Sequence, residues 1–223
     1  MDKRKQRQEI KAKRAALSDA ERDAANHQIA KRIIDSEIFQ QSQKIACYMA
    51  IDAEVNLQEV IEAILSIRSS SSRGLTAGSS ASEQSSLLDP AVKPRDDDSF
   101  CSTKHCYLPR VGQNKPGLLH FVEYLKDDKL QTGSFGILEP IFDPQKIIEP
   151  DDLDLVLMPL VAFDHQGNRL GTGGGYYDRT FAQASQLLLI GVAYACQEVP
   201  QIEASSHDVK LHGVVTEKEF RMF

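Results

Sequence analysis

The fold is decided by Asp154-Leu155-Val156-Leu157-Met158-Pro159-Leu160-Val161-Ala162-Phe163, which runs on into Asp164-His165-Gln166-Gly167-Asn168-Arg169-Leu170-Gly171-Thr172-Gly173-Gly174-Gly175-Tyr176-Tyr177-Asp178. The first ten residues read as the most hydrophobic strand of the chain, apolar on both faces as a covered parallel strand must be. The continuation places four of the thirteen glycines within five consecutive positions, 171–175. Glycine permits positive φ and lets a ligand reach the main chain without an intervening Cβ. A glycine-rich turn opening into a helix offers free N–H groups and a positive dipole end, which suits phosphate oxygens. Arg169 can add a charged contact, Tyr176 and Tyr177 stacking surface and hydroxyls, and Asp178 a magnesium ligand. The pattern is not a P-loop, because no Lys-Ser/Thr pair follows, and it is not the dinucleotide fingerprint. On the glycines alone a flexible hairpin is the lesser alternative, and the flanking tyrosines and aspartate weigh further against it.

Around this stretch the chain alternates strands and helices. Residues 3–16 carry helix formers without Gly or Pro. Ser18 and Glu21 form a capping box for a second helix, with Ala24, Ile29, Ile33, Ile34 and Ile38 at helical spacing, ending near Gln40. A buried strand over 44–51 and an amphipathic helix over 56–67, starting at Asn56, make a βα step. Further strands are expected at 105–111, 118–124, 187–194 and 213–216, and a helix at 177–186. The whole is one α/β domain over residues 1–223, an open, mostly parallel sheet with helices on both faces in a Rossmann-like three-layer arrangement. Ligands of such sheets bind beyond the carboxyl ends of the strands, so the loops after Ile51, Arg110, Phe163 and Tyr194 are where chemistry is sought.

Residues 69–102 interrupt this pattern. Nine of the eighteen residues from Ser69 to Ser86 are serine, and Asp96-Asp97-Asp98 follows. Such a composition buries too little apolar surface to offset ordering entropy and reads as a disordered insertion in a surface loop.

A net charge of −6 argues against a nucleic-acid binder. The basic residues Lys3, Arg4, Lys5, Arg7, Lys11, Lys13 and Arg14 nonetheless crowd one end, which can meet something anionic. No apolar run is long enough for a membrane span, and no apolar segment follows the basic N-terminus as in a signal peptide. Cys47, Cys101, Cys106 and Cys196 lack framework spacing, which favours a reducing compartment. Cytoplasm is expected, with a mitochondrial pool left open, and the chain is expected to be a monomer. Cys101, His105 and Cys106 lack the second ligand pair of a zinc site.

The string Met158-Pro159, Phe163-Asp164, Gly167-Asn168-Arg169-Leu170-Gly171 and Gly173-Gly174-Gly175-Tyr176-Tyr177-Asp178-Arg179 resembles the signature of the 5-formyltetrahydrofolate cyclo-ligases, also called methenyltetrahydrofolate synthetases. The likeness runs from Lys3 to about Glu217, excluding the serine-rich insertion. It implies an enzyme that uses ATP and Mg2+ to cyclise 5-formyltetrahydrofolate to 5,10-methenyltetrahydrofolate, releasing ADP and phosphate. It further implies that Lys3 and Arg7, four residues apart on one helix face, contact ATP phosphates. Arg169, Leu170, Gly171, Thr172, Gly173, Gly174, Gly175, Tyr176 and Tyr177 would form the ATP loop, with Thr172 to Tyr176 also touching folate. Met49 would line the pterin site, Glu54 would accept from its N–H groups, and Asp178 and Asp208 would hold the metal. Lys3, Arg7, Arg169 and Tyr176 would carry catalysis. Lys5 and Lys11 read as a solvated face, and Arg110 and Glu139-Pro140 match family positions without an assigned role. The chain departs from the family at Thr172, where members usually carry an aromatic residue or arginine, and Gly174 is lysine in some. A non-catalytic folate or nucleotide binder is the alternative, and a sugar-phosphate isomerase or CoA-transferase relative is disfavoured for want of a catalytic glutamate or base loop.

Overall fold

The computed structural model describes residues 2–72, 103–112, 117–184 and 186–223. The serine-rich stretch from 73 to 102, with Cys101, lies outside the described residues. Two helices open the chain, α1 over Lys3–Ala15 and α2 over Asp19–Ile34. Ser18 accepts from the Glu21 N–H while the Glu21 side chain reaches back to Ser18, the reciprocal cap expected from sequence. The second helix does not run to Gln40: it stops at Ile34, and Ser36 starts a separate turn, α3 (Glu37–Gln41), by accepting from Phe39 N. A serine that caps a new helix competes with continuation of the old one. The inward alanines of α2 are Ala25 and Ala30; Ala24 is exposed.

Strands β1 (Lys44–Ala46), β2 (His105–Val111), β3 (Leu119–Tyr124), β6 (Ile147–Ile148), β7 (Leu155–Pro159), β10 (Leu188–Val192), β11 (Gly213–Val215) and β12 (Phe220–Met222) form one sheet. Its order is β12-β11-β10-β7-β1-β2-β3-β6. The pairs from β11 across to β2 are parallel; β12, β3 and β6 close the edges antiparallel. This is the mostly parallel open sheet expected. Alternation sorts the core: Ile45, Leu155 and Leu157 pack with Ile29, Ile33 of α2 and Val60, Ile64 of α4 (Gln58–Ser72). Ala46, Val156 and Met158 face the other way, towards Phe181 of α5 (Tyr176–Phe181). Both faces are therefore covered.

Several boundaries differ from expectation. The strand expected over 44–51 ladders only through Ala46, with Cys47 N still bonded to Tyr107 O. Beyond that point the segment peels away to line a cavity. The helix expected over 56–67 begins at Gln58, whose N–H is capped by Asn56 Oδ1, and extends to Ser72. The first serines of the insertion thus continue α4. The apolar run 154–163 is two strands, because β8 (Ala162–Phe163) leaves the sheet to pair with β9 (Arg169–Leu170) as a separate hairpin. The helix expected over 177–186 is shorter, ending at Phe181. β12 and a second small hairpin, β4 (Leu130–Thr132) with β5 (Leu138–Pro140), carry no strong alternation and were not expected.

Candidate active site

A cavity of about 560 Å³ opens beyond the carboxyl ends of β1 and β7. Of the four loops singled out, those after Ile51 and Phe163 reach it, and the long connection from Tyr194 to β11 reaches it through Asp208; after Arg110, Val111 is the one loop residue to do so among the described residues. Every residue assigned a site role from sequence lines it: Lys3, Arg7, Met49, Glu54, the whole of Arg169–Asp178, and Asp208. The opposite wall is apolar, from Pro109, Leu119, Ile137 and Leu138. Arg110 lies outside; it is buried and donates to Pro140 O at 2.9 Å, tying β5 to β2.

Helix α1 reaches this cavity because its Ile10 packs with Val161, Ala162, Leu170, Val199 and Ile202, a small core around the β8–β9 hairpin. Gln6, Ile10 and Arg14 form the buried row of the helix. The neighbouring row, Lys3, Arg7 and Lys11, lines the cavity, since i, i+4, i+8 residues share a face. Lys11 is exposed, in keeping with its reading as part of a solvated face, and it also borders the cavity. Arg7 Nε donates to Gly171 O at 2.8 Å, which fixes the first turn of the glycine loop against α1.

The loop itself depends on Gly173 at φ +111 and Gly175 at φ +66, where a side chain would be strained. A Cβ at Gly175 would also meet the Arg179 guanidinium at 2.6 Å. Among the described residues, no backbone hydrogen bond takes up the N–H of Gly173, Gly174 or Gly175. They are donors left for an anion. Arg179 braces the loop by donating to Gly174 O and Gly117 O, both at 2.8 Å, with its guanidinium 5.3 Å from the centre of the Tyr176 ring.

Charge alternates around the cavity. Arg169, buried, donates to Asp178 Oδ1 at 2.6 Å, and Val209 N donates to the same oxygen at 3.0 Å. Lys3 Nζ donates to Asp208 Oδ2 at 3.1 Å, an oxygen that also accepts from Ser205 N at 2.8 Å. Burial alone would raise the Asp208 carboxyl; the Ser205 amide and Lys3 outweigh it and hold it below the usual range, so it is ionised at neutral pH. Asp178 and Asp208 each spend one oxygen on the protein. Among the described residues no three His, Cys, Asp or Glu side chains form a metal cage. A cation here needs ligands from water or a substrate, which is how magnesium binds beside phosphates.

Two contributors carried no assigned role from sequence. Glu139 lines the cavity although it is buried. Phe135, 74% exposed, stands at the cavity with a left-handed backbone of φ 62 and its ring edge-on to Tyr176 at 6.0 Å. An aromatic residue held in that conformation is strained by about 1–3 kcal/mol. The only local signal is its place between Gly133 and Gly136, which has no periodicity to flag it.

The sequence matches the family model described as the 5-formyltetrahydrofolate cyclo-ligase family over residues 1–70 and 89–217. The chain is similar to the 5-formyltetrahydrofolate cyclo-ligase of Haemophilus influenzae, 29% identical over 211 residues and covering 94% of each chain. To that of Escherichia coli K12 it is 27% identical, covering 93% of this chain and 96% of the other. The solved structure of Aquifex aeolicus 5,10-methenyltetrahydrofolate synthetase superposes with a TM-score of 0.74 at 27% identity, covering all of this chain and 93% of that one.

Proposed function

The chain belongs to the 5-formyltetrahydrofolate cyclo-ligase family, and on that premise we propose that its cavity binds ATP and 5-formyltetrahydrofolate side by side and closes the folate to 5,10-methenyltetrahydrofolate. The observation that carries this reading is the single cavity that joins the Lys3–Arg7 row, the free N–H groups of the glycine loop, two carboxylates and the Met49–Glu54 wall. Phosphate-binding and ring-binding chemistry meet there without a barrier between them.

The formyl oxygen would attack the γ-phosphorus of ATP, ADP leaving as that bond breaks. The phosphorylated imino carbon is then open to the neighbouring folate nitrogen, and phosphate departs as the ring closes. An amide oxygen is a poor leaving group, which is why the phosphoryl step comes first. The protein's contribution is positioning and electrostatics. Lys3, Arg7, Arg169 and the Gly173–Gly175 amides would bind the phosphates, Tyr176 and Tyr177 would wall the reacting groups, and Thr172 to Tyr176 would face both substrates. Glu54 would accept from the pterin, Met49 would pack on it, and Phe135 would close over the far side. Magnesium bound at Asp178 and Asp208 would neutralise phosphate charge. Lys3 and Arg169 now rest on those same carboxylates, so both cations stand poised to exchange a carboxylate for a phosphate oxygen. We place the enzyme in the cytoplasm as a monomer; no helix among the described residues is long and apolar enough to cross a membrane.

Mixing the protein with ATP, magnesium and 5-formyltetrahydrofolate should produce the near-ultraviolet absorbance of the conjugated methenyl product together with stoichiometric ADP. Folate binding without product would instead favour the reservoir alternative. Arg179→Ala should lower kcat/KM by about tenfold while leaving Tm within a few degrees, because it loosens the glycine loop without emptying the core. An unchanged kcat/KM would show that the brace is dispensable.

A further inference from the structure

Arg14 lies on the buried row of α1, one residue over from the Lys3–Arg7–Lys11 row. Its side chain is 4% exposed, and Nη1 stands 3.9 Å from Glu54 Oε1, beyond hydrogen-bond reach. Its Nε is buried with no hydrogen-bond partner. A buried guanidinium left so poorly bonded is costly to the fold, which points to a role outside stability. Glu54 is the wall residue in front of it, 7% exposed. A tight turn fixes Glu54: its N–H donates to Ile51 O, its Oε2 accepts from Ile51 N at 3.3 Å, and Asp52 within the turn has φ 51. Arg14 itself does not line the cavity.

The charged and titratable groups around Glu54 are Arg14 and Lys11 from α1, Asp52 from its own turn, Tyr48 from the segment after β1, and Tyr177 from α5. Burial pushes the Tyr48 and Tyr177 hydroxyls up, so both stay neutral. Asp52 and Lys11 are exposed, where solvent screens them. Arg14 is the buried cation of the set. Burial pushes the Glu54 carboxyl above its usual range, and the Ile51 N–H and then the Arg14 charge act against that rise.

We propose that Arg14 is a positioning residue for folate binding, keeping Glu54 ionised from behind the cavity wall so that its carboxylate can accept ring N–H donors. This rests on the folate reading of the cavity. The loose contact is part of the device: a bidentate pair would occupy both carboxylate oxygens, whereas a charge one step further back favours the anion and leaves Oε1 to the ligand. The consequence is folate affinity that persists at mildly acidic pH.

Binding of 5-formyltetrahydrofolate by calorimetry, across about pH 6 to 9, tests this with wild type, R14M, R14K, E54Q and R14M/E54Q. R14M should bind about tenfold more weakly near the acid end, one pKa unit being tenfold in ionised fraction, and approach wild type as the pH rises. R14K should retain the wild-type pH profile, and R14M should change nothing further in the E54Q background. Arg14→Gln serves for the same comparison if R14M does not fold. A loss in R14M that is equal at every pH, no loss at all, or a loss that persists beside E54Q overturns the inference. Wild-type protein that binds no folate overturns the reading of the cavity instead, which is a separate result.

Discussion

Asp178→Asn is expected to yield a folded protein with turnover reduced by about 10²–10³-fold, the usual range when one group that stabilises transition-state charge is removed. The choice of asparagine matters. Asp178 Oδ1 accepts from both Arg169 and Val209 N, and an asparagine oxygen can keep both contacts while the carboxylate charge is lost. Alanine would be a poorer probe. It would leave the Arg169 guanidinium, 5% exposed and already short of a partner at Nε, as an uncompensated buried charge. That costs about 3–5 kcal/mol and mixes destabilisation with the catalytic effect. In steady-state assays with varied magnesium, Asp178→Asn should need more metal for half-maximal rate, with Tm little changed. Wild-type turnover and metal dependence in that variant would remove Asp178 from the proposed metal site.

Asp164→Ala carries the largest expected loss of stability, about 3 kcal/mol or more. Asp164 is fully buried behind the glycine loop. Its Oδ1 accepts from Gln166 N at 2.9 Å and Asn168 N at 3.0 Å, and its Oδ2 from Asn168 Nδ2 and Ile202 N, both at 2.9 Å. Alanine leaves these donors buried and unpaired. Asparagine does not rescue it, because one end of its amide must place NH2 against two donors. For a chain of this size the loss corresponds to a Tm lower by roughly 6–12 °C. Wild-type Tm in Asp164→Asn would show that the network is not what holds the hairpin. The sign of the pH effect follows from the same contacts. Burial would raise the carboxyl, but the Asn168 amide and the Ile202, Gln166 and Asn168 N–H groups outweigh it and hold it below the usual range. This stabilisation is therefore complete above about pH 4, the ordinary aspartate value, and is lost as pH falls through the lower folded value. In Asp164→Ala the acid limb of the stability curve should flatten.

What local chemistry writes, the sequence shows. The Ser18–Glu21 capping box and the glycines after Leu170 act within a few residues, so their reading needs no fold. The parallel sheet was legible because strands covered on both faces must be apolar throughout, as Leu155–Met158 are. Boundaries were less legible where tertiary pairing decides them. The run 154–163 is uniformly apolar, yet Ala162 and Phe163 leave the sheet for Arg169 and Leu170. Hydropathy registers burial and is silent about which partner provides it.

The sequence by itself determined the sheet class, which follows from residue type and spacing, and its resemblance to the family is what pointed to the residues from Lys3 to Asp208 proposed to carry the chemistry. Only the tertiary structure decided which charges meet. It set Arg169 on Asp178, Lys3 on Asp208 and Arg14 behind Glu54, pairs separated by 9, 205 and 40 positions in the chain. Electrostatic energy depends on distance and burial in space, and neither is recorded in the order of the residues.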